Sequence, residues 1–186
     1  MSTIDRFMEM LCGTFDNREQ CRQEGASGDR VHPGAAHVIG SCNDKMNNLP
    51  ADFNGRFVIE ESYFDMGDHT IAKHYLFFYE EADDGRIRLT SYDPPADVER
   101  DSLTNENRDL RLDYTKIQVS PRFTPLLLDE IDGEFVGENV SQFSTEAIFK
   151  FRLVVAPHAL YVTELLERNG ERVAGYDTPT IYIKAQ

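Results

Sequence analysis

The sequence predicts an all-β barrel or sandwich, entered through a short N-terminal helical segment, and three observations carry that expectation. Roughly nine or ten short runs rich in β-branched and aromatic residues recur at regular spacing along the chain. Gly, Pro, Asn and Asp punctuate them. Helical periodicity, by contrast, is confined to the first 25 residues of 186.

The elements follow in order. Ser2 with Asp5 resembles a capping box, and Ile4, Phe7, Met8 and Leu11 fall at helical spacing before Gly13 ends the run. Asp16 or Asn17 offers a second cap, with two further turns before Gly25. Ala26 to Gly34 reads as loop and Ala36 to Ser41 as a short strand. Phe57 to Tyr63, Ile71 to Glu81 and Ile87 to Tyr92 form an antiparallel meander joined by tight turns. Asp93-Pro94-Pro95 breaks the sheet, and Ala96 to Arg108 is a charged loop. Leu110 to Val119 alternates as a strand. Leu126 to Ile131 and Glu134 to Val136 flank Asp132-Gly133, a pair that tolerates the positive φ of a type I′ hairpin turn. Ala147 to Val155, Leu160 to Leu166, an Asn169-Gly170 turn, Arg172 to Ala174 and Thr180 to Lys184 complete the chain, which should form one domain.

Composition excludes several function classes. With 19 basic and 33 acidic residues, net −14, the chain repels phosphate backbones, so a nucleic-acid partner is not expected. No apolar run reaches the roughly 18–20 residues of a membrane helix, and the N-terminus lacks a basic-then-apolar signal; a soluble, cytoplasmic protein without membrane insertion is expected. Cys12, Cys21 and Cys42 have no CxxC spacing and are expected to be reduced and structural. The five histidines show no ligand spacing, which argues against a metal site.

The meander carries the candidate site. Side chains alternate faces along a strand, so Phe57, Ile59, Glu61 and Tyr63 share one side and Val58, Glu60 and Ser62 the other. One of the two glutamates must point inward. Tyr63, Lys73, Tyr75, Arg86 or Arg88, Tyr92, Lys150 and Arg152 also interrupt strand-like runs where a pure core would use aliphatics. Solvent-facing positions of strands take such residues as well, and base rates place most of them there.

Taken in order, Phe15-Asp16-Asn17-Arg18-Glu19-Gln20, Glu60-Glu61-Ser62-Tyr63, the strand from Lys73 to Phe78, Arg88 to Tyr92, Gly133-Glu134-Phe135-Val136-Gly137 and Asn169-Gly170 to Gly175 resemble the CpcT/CpeT family, the T-type phycobiliprotein lyases. The resemblance spans nearly the whole chain. It implies a lipocalin-like antiparallel barrel, or calyx, that binds a linear tetrapyrrole as substrate and delivers it to a cysteine of a phycobiliprotein β-subunit as a thioether. No prosthetic group is implied. Family members are often dimeric and some are encoded by cyanophages, so a homodimer in a cyanobacterial or phage-infected cell is in view. The sequence departs from the family pattern at three points: Lys73 and Tyr75 stand where the family alternates basic residues, Glu61 stands where it has glutamine, and two cysteines common in its C-terminal half are absent.

The chemistry of such a ligand, phycoerythrobilin or phycocyanobilin, assigns roles. Its pyrrole N–H groups need a carboxylate acceptor, and its propionates need cations. Glu60 is the first candidate for the acceptor and the catalytic residue, with Glu61 as the alternative on the opposite face. Lys73, Arg88 and Arg152 are candidates for the propionates; Tyr63, Tyr75 and Tyr92 could stack on or donate to the rings. Two alternatives stay open at this stage, a bilin carrier that performs no attachment and an unrelated lipocalin-like binder of small molecules.

Overall fold

The helical periodicity at the N-terminus becomes α1 (Thr3–Leu11), whose Ile4, Phe7, Met8 and Leu11 are all buried. Ser2 caps it, its Oγ accepting the Asp5 N–H at 3.2 Å. The computed structural model describes residues 1–28 and 31–185. After α1 come β1 (Gly13–Asp16), α2 (Arg18–Ser27), β2 (Gly34–Ser41), β3 (Met46–Asn47), β4 (Arg56–Asp65), β5 (Thr70–Glu81) and β6 (Ile87–Asp93). The second half contains β7 (Leu112–Asp113), β8 (Gln118–Val119), β9 (Leu126–Ile131), β10 (Glu134–Gln142), β11 (Ala147–Ala156), β12 (Ala159–Arg168), β13 (Glu171–Gly175) and β14 (Thr180–Lys184). Of the loop expected over Ala26 to Gly34, residues 29 and 30 lie outside the described residues.

Ten strands close into an antiparallel barrel in the order β11-β10-β9-β6-β5-β4-β2-β1-β14-β12, with β12 returning to β11. The fold is therefore the lipocalin-like barrel that the resemblance implies. Closure leaves every wall strand paired on both sides, which removes the exposed edges an open sheet would carry. Asp132 and Gly133, at φ 52° and 84°, turn β9 into β10 as the Asp-Gly pair predicts, and Asn169-Gly170 does the same between β12 and β13. β13 pairs beside the wall on β12, and β3 with β7 forms a small parallel pair outside it. Among the described residues, no helix is long and apolar enough to cross a membrane.

Two stretches differ from expectation. Gly13 to Asp16, read as a lead-in to a cap, is a strand pairing with both β2 and β14 and burying Phe15 completely. Four residues are too short for alternation to show, and closure of the barrel supplies the pairing. Leu110 to Val119, read as one strand, contributes only β7 and β8. Its apolar residues Leu110, Leu112 and Ile117 are buried nonetheless, because the segment lies across the outer face of β4 and β5 and anchors there. Alternation correctly reported burial but not backbone pairing.

The apolar side chains gather in two places. One cluster fills an end of the barrel, where α1 acts as a plug: the Phe7 ring packs 5.0 Å from Tyr79 and 5.1 Å from Phe135, among Phe15, Val58, Leu153 and Val155. The other lies outside the wall, where Phe57, Ile59 and Leu76 pack against Cys42, Met46, Leu103 and Leu112 of the covering segments. Burial pushes the Cys42 thiol up to about 12 and raises Cys12 as well, so both stay protonated and serve packing.

Candidate functional site

Above the α1 plug the barrel is hollow. The cavity holds about 460 Å³, within the range of small-molecule sites, and opens at the end opposite α1, past the hairpin between β4 and β5. Its upper wall is aromatic: Phe143 stacks on Phe149 at 5.1 Å, Phe149 on Phe151 at 6.0 Å, and Phe123 meets Phe143 edge-on at 5.2 Å. Met66 and Ile71 stand exposed at the rim. Between this rim and the plug runs a belt of polar side chains: His37, Glu60, Ser62, Tyr75, Ser91, Glu164 and Tyr182.

The pleat of β4 decides which glutamate enters. Glu60, Ser62 and Phe64 line the cavity, while Phe57 and Ile59 belong to the outer cluster, so Glu61 points away. Ser62 Oγ donates to Glu60 Oε1 at 3.0 Å and lies 2.9 Å from His37 Nδ1, which is itself 3.4 Å from the same carboxylate oxygen. With the single hydroxyl hydrogen committed to Glu60, His37 Nδ1 is the donor toward the pair. Nε2 of the same ring is buried without a partner among the described residues, and the ring packs against Tyr182 with centroids 4.2 Å apart. Burial pushes the Glu60 carboxyl up, but the His37 imidazole and the hydrogen bonds from His37 and Ser62 outweigh it, leaving the carboxyl below its ordinary range.

Tyr75 faces Glu60 across the β4–β5 register and stacks on Phe77 at 5.5 Å. Burial raises its phenol, with the charges of Glu164 and Glu60 adding to the effect, so it remains a hydrogen-bond donor. Lys73 lies nearer the mouth, its Nζ 5.6 Å from the Phe64 ring centroid, and makes no ion pair among the described residues. Glu60, Lys73 and Tyr75, all expected in the site, are thus brought together around one hollow.

The other expected residues stand elsewhere, and the phase of each strand is the reason. Glu61 is held under the segment that follows β6: it accepts the Asn105 N–H and Nδ2 hydrogens at 2.8 Å each and the Tyr63 hydroxyl at 2.6 Å. Gly40 makes room for this, since a Cβ there would lie 2.2 Å from Asn105 Oδ1. Tyr63 is committed to the same contact, which raises its phenol to about 12. Arg88 pairs with Glu80 across β5 and β6 at 3.0 Å on the outer face. Tyr92 joins the outer aromatic cluster, 5.6 Å from Phe57. Arg152 stands 3.8 Å from Glu138, while its neighbours Phe151 and Leu153 line the cavity. Neither arginine reaches the cavity, so Lys73 alone supplies a permanent cation there among the described residues.

Sequence reasoning missed His37, Glu164 and Tyr182. Glu164 carried a signal, because Leu160, Val162 and Leu166 share its face of β12 and all line the cavity. His37 sits in a run of small residues whose inward face only the barrel reveals. Comparison with family models, curated proteins and solved structures gives no match.

Proposed function

We propose that the cavity binds a linear tetrapyrrole, a bilin such as phycoerythrobilin, and presents it for thioether attachment to a cysteine of a phycobiliprotein β-subunit. The observation that carries this reading is Glu60: an ionised carboxylate on the inner wall of an aromatic-lined hollow, with Oε1 tied to Ser62 and its remaining acceptor capacity open to a ligand. An open-chain pigment matches that chemistry. Its flat rings fit between the phenylalanines of the upper wall, its N–H edge meets Glu60, and a propionate at the mouth meets Lys73.

Attachment then needs positioning more than covalent help from this chain. No cysteine lines the cavity among the described residues, so the attacking sulfur belongs to the acceptor. Its thiolate adds to the pigment's exocyclic double bond; the C–S bond forms as the π bond breaks, and a proton completes the adjacent carbon. The walls hold the pigment extended and keep water from competing with the thiolate. The departure of Arg88 and Arg152 from the cavity leaves Lys73 as the propionate contact.

Absorbance titration with phycoerythrobilin and phycocyanobilin tests the reading. The wild type should give a red-shifted, saturable spectrum, Glu60→Gln about tenfold weaker binding, and Lys73→Ala a loss of about threefold. Unchanged spectra with the wild type would remove the proposal. Adding apo-subunit and looking for zinc-enhanced fluorescence on a denaturing gel then distinguishes attachment from carriage alone.

A further inference from the structure

Glu164 faces the cavity with nothing from the protein bound to its carboxyl. It makes no side-chain hydrogen bond and no ion pair among the described residues, whereas Glu60 is engaged by Ser62 and His37. The two approach from different walls, since β12 lies four places from β4 around the ten-strand ring. Glu164 also sits at a seam. β12 pairs with β14 as far as Val162 and with β13 from Leu165, and between them the Tyr176 N–H donates to the Glu164 carbonyl at 2.9 Å. Gly175 allows this, at φ 84°, where a Cβ would meet that carbonyl oxygen at 1.9 Å. The seam fixes the backbone while leaving the carboxyl free in the lumen.

We propose that Glu164 is the residue that gives a proton to the bound pigment, with Glu60 across the cavity as the anion that accepts its N–H groups. The assignment rests on the tetrapyrrole reading above. A linear tetrapyrrole has an imine-type ring nitrogen with a lone pair alongside its N–H groups. From the protonated form of Glu164, whose share grows as pH falls toward its raised value, the O–H bond breaks and an N–H bond forms on that nitrogen. Glu164 is left as a carboxylate, and the pigment cation lies between two anions with no change in total charge. The cation is the more electrophilic form, so the same transfer prepares the pigment for the acceptor thiolate.

The electrostatics run in the same direction. Glu164 is exposed to the solvent of the open cavity, yet the surrounding walls still raise its carboxyl, the charge of Glu60 adds to this, and His37 and Lys73 only partly offset it. Glu60 is lowered. Carboxyls pushed apart in this way divide into an acid and a counter-ion. The groups facing Glu164 are Glu60 from β4, His37 from β2, Lys73 and Tyr75 from β5, Tyr182 from β14 and Tyr176 after β13; β11 contributes the Phe151 ring. Lys73 is the one permanent cation in that set.

The test is a pH titration of the absorbance of bound phycoerythrobilin in the wild type, Glu164→Gln and Glu164→Asp. Glu164→Gln should retain the pigment, with the midpoint for its protonation lower by about one pH unit or more, and Glu164→Asp should recover part of that shift. Retention of the pigment by Glu164→Gln with the wild-type midpoint overturns the assignment. If Glu164→Gln loses the pigment, Glu164→Asp decides: an intermediate midpoint supports the role, and a wild-type midpoint overturns it. Failure of the wild type to take up pigment instead removes the tetrapyrrole reading on which the role rests.

Discussion

Glu60 and Glu61 are neighbours on one strand and have opposite fates. Glu61 turns outward under the segment that follows β6 and receives three hydrogen bonds, from the Asn105 N–H, the Asn105 amide and the Tyr63 hydroxyl. Glu60 turns inward, shares one oxygen with Ser62 and His37, and otherwise faces space. Both carboxyls lie below their ordinary range, so direction of shift does not separate them. What separates them is unused acceptor capacity: a carboxylate saturated by its own protein holds structure, and one left partly open beside a hollow is available to a ligand. The same contrast holds for the two faces of the wall, since the outer cluster is filled and the inner one stops at the α1 plug.

Truncating one aromatic side chain on each face sharpens that contrast most. Phe57 is fully buried between Phe53, stacked at 5.6 Å, and Phe78 at 4.9 Å. Phe57→Ala should cost about 3–5 kcal/mol in urea unfolding, the usual loss for a large core ring. Phe77 lines a space that already exists, so Phe77→Ala enlarges a cavity without creating one and should cost less than half as much. Equal losses would mean that the lumen is as tightly filled as the outer cluster. Next in size, Glu61→Ala removes three hydrogen bonds, leaving the Asn105 N–H without its acceptor while Asn105 Nδ2 keeps the Val38 and Ile59 carbonyls, and should cost about 2 kcal/mol, with faster amide exchange over residues 94–117. Glu60→Ala should cost under about 1 kcal/mol, because Ser62 and His37 can still bond to each other or to cavity water.

Much of this arrangement was legible in the sequence. The meander, the plug helix and both hairpin turns follow from alternation, from Ser2 and the 3.6-residue period, and from Asp132-Gly133 and Asn169-Gly170. Period 2 also established that one of the adjacent glutamates enters the barrel. It could not say which, because Phe57 and Ile59 on one face and Val58 on the other are equally apolar. Both faces of β4 are buried, one by the lumen and one by the segment following β6. For the same reason Arg88, Tyr92 and Arg152 looked like candidates: a charge within a strand-like run marks a position but not a face. Of the site's unanticipated half, His37 comes from β2, which pairs directly with β4 and sets it opposite Ser62, and Glu164 comes from β12, far from β4 in sequence and brought to the same hollow only by closure of the ring.

The smallest effect separates the saturated carboxyl from the open one by pH. Glu61 is lowered in the fold: burial raises it, but the Asn105 and Tyr63 hydrogen bonds outweigh burial. Its contribution is present above the ordinary value of 4.5 and is lost as pH falls through the native value. Glu164 is raised by the surrounding walls and by Glu60, so the native state binds its proton more tightly than the unfolded chain does. Its contribution is full below 4.5 and is lost as pH rises through the raised value. Glutamine in each place removes these dependences with opposite signs. Glu61→Gln should be destabilised at neutral pH, with the deficit shrinking in acid. Glu164→Gln should be slightly more stable than the wild type at neutral pH, by less than about 1 kcal/mol because cavity solvent screens the exposed Glu164 side chain, with the advantage vanishing toward acid. Thermal melts from pH 4 to 8 on the wild type and both variants measure this. Parallel curves for the two variants would show that the inner and outer carboxyls do not differ electrostatically.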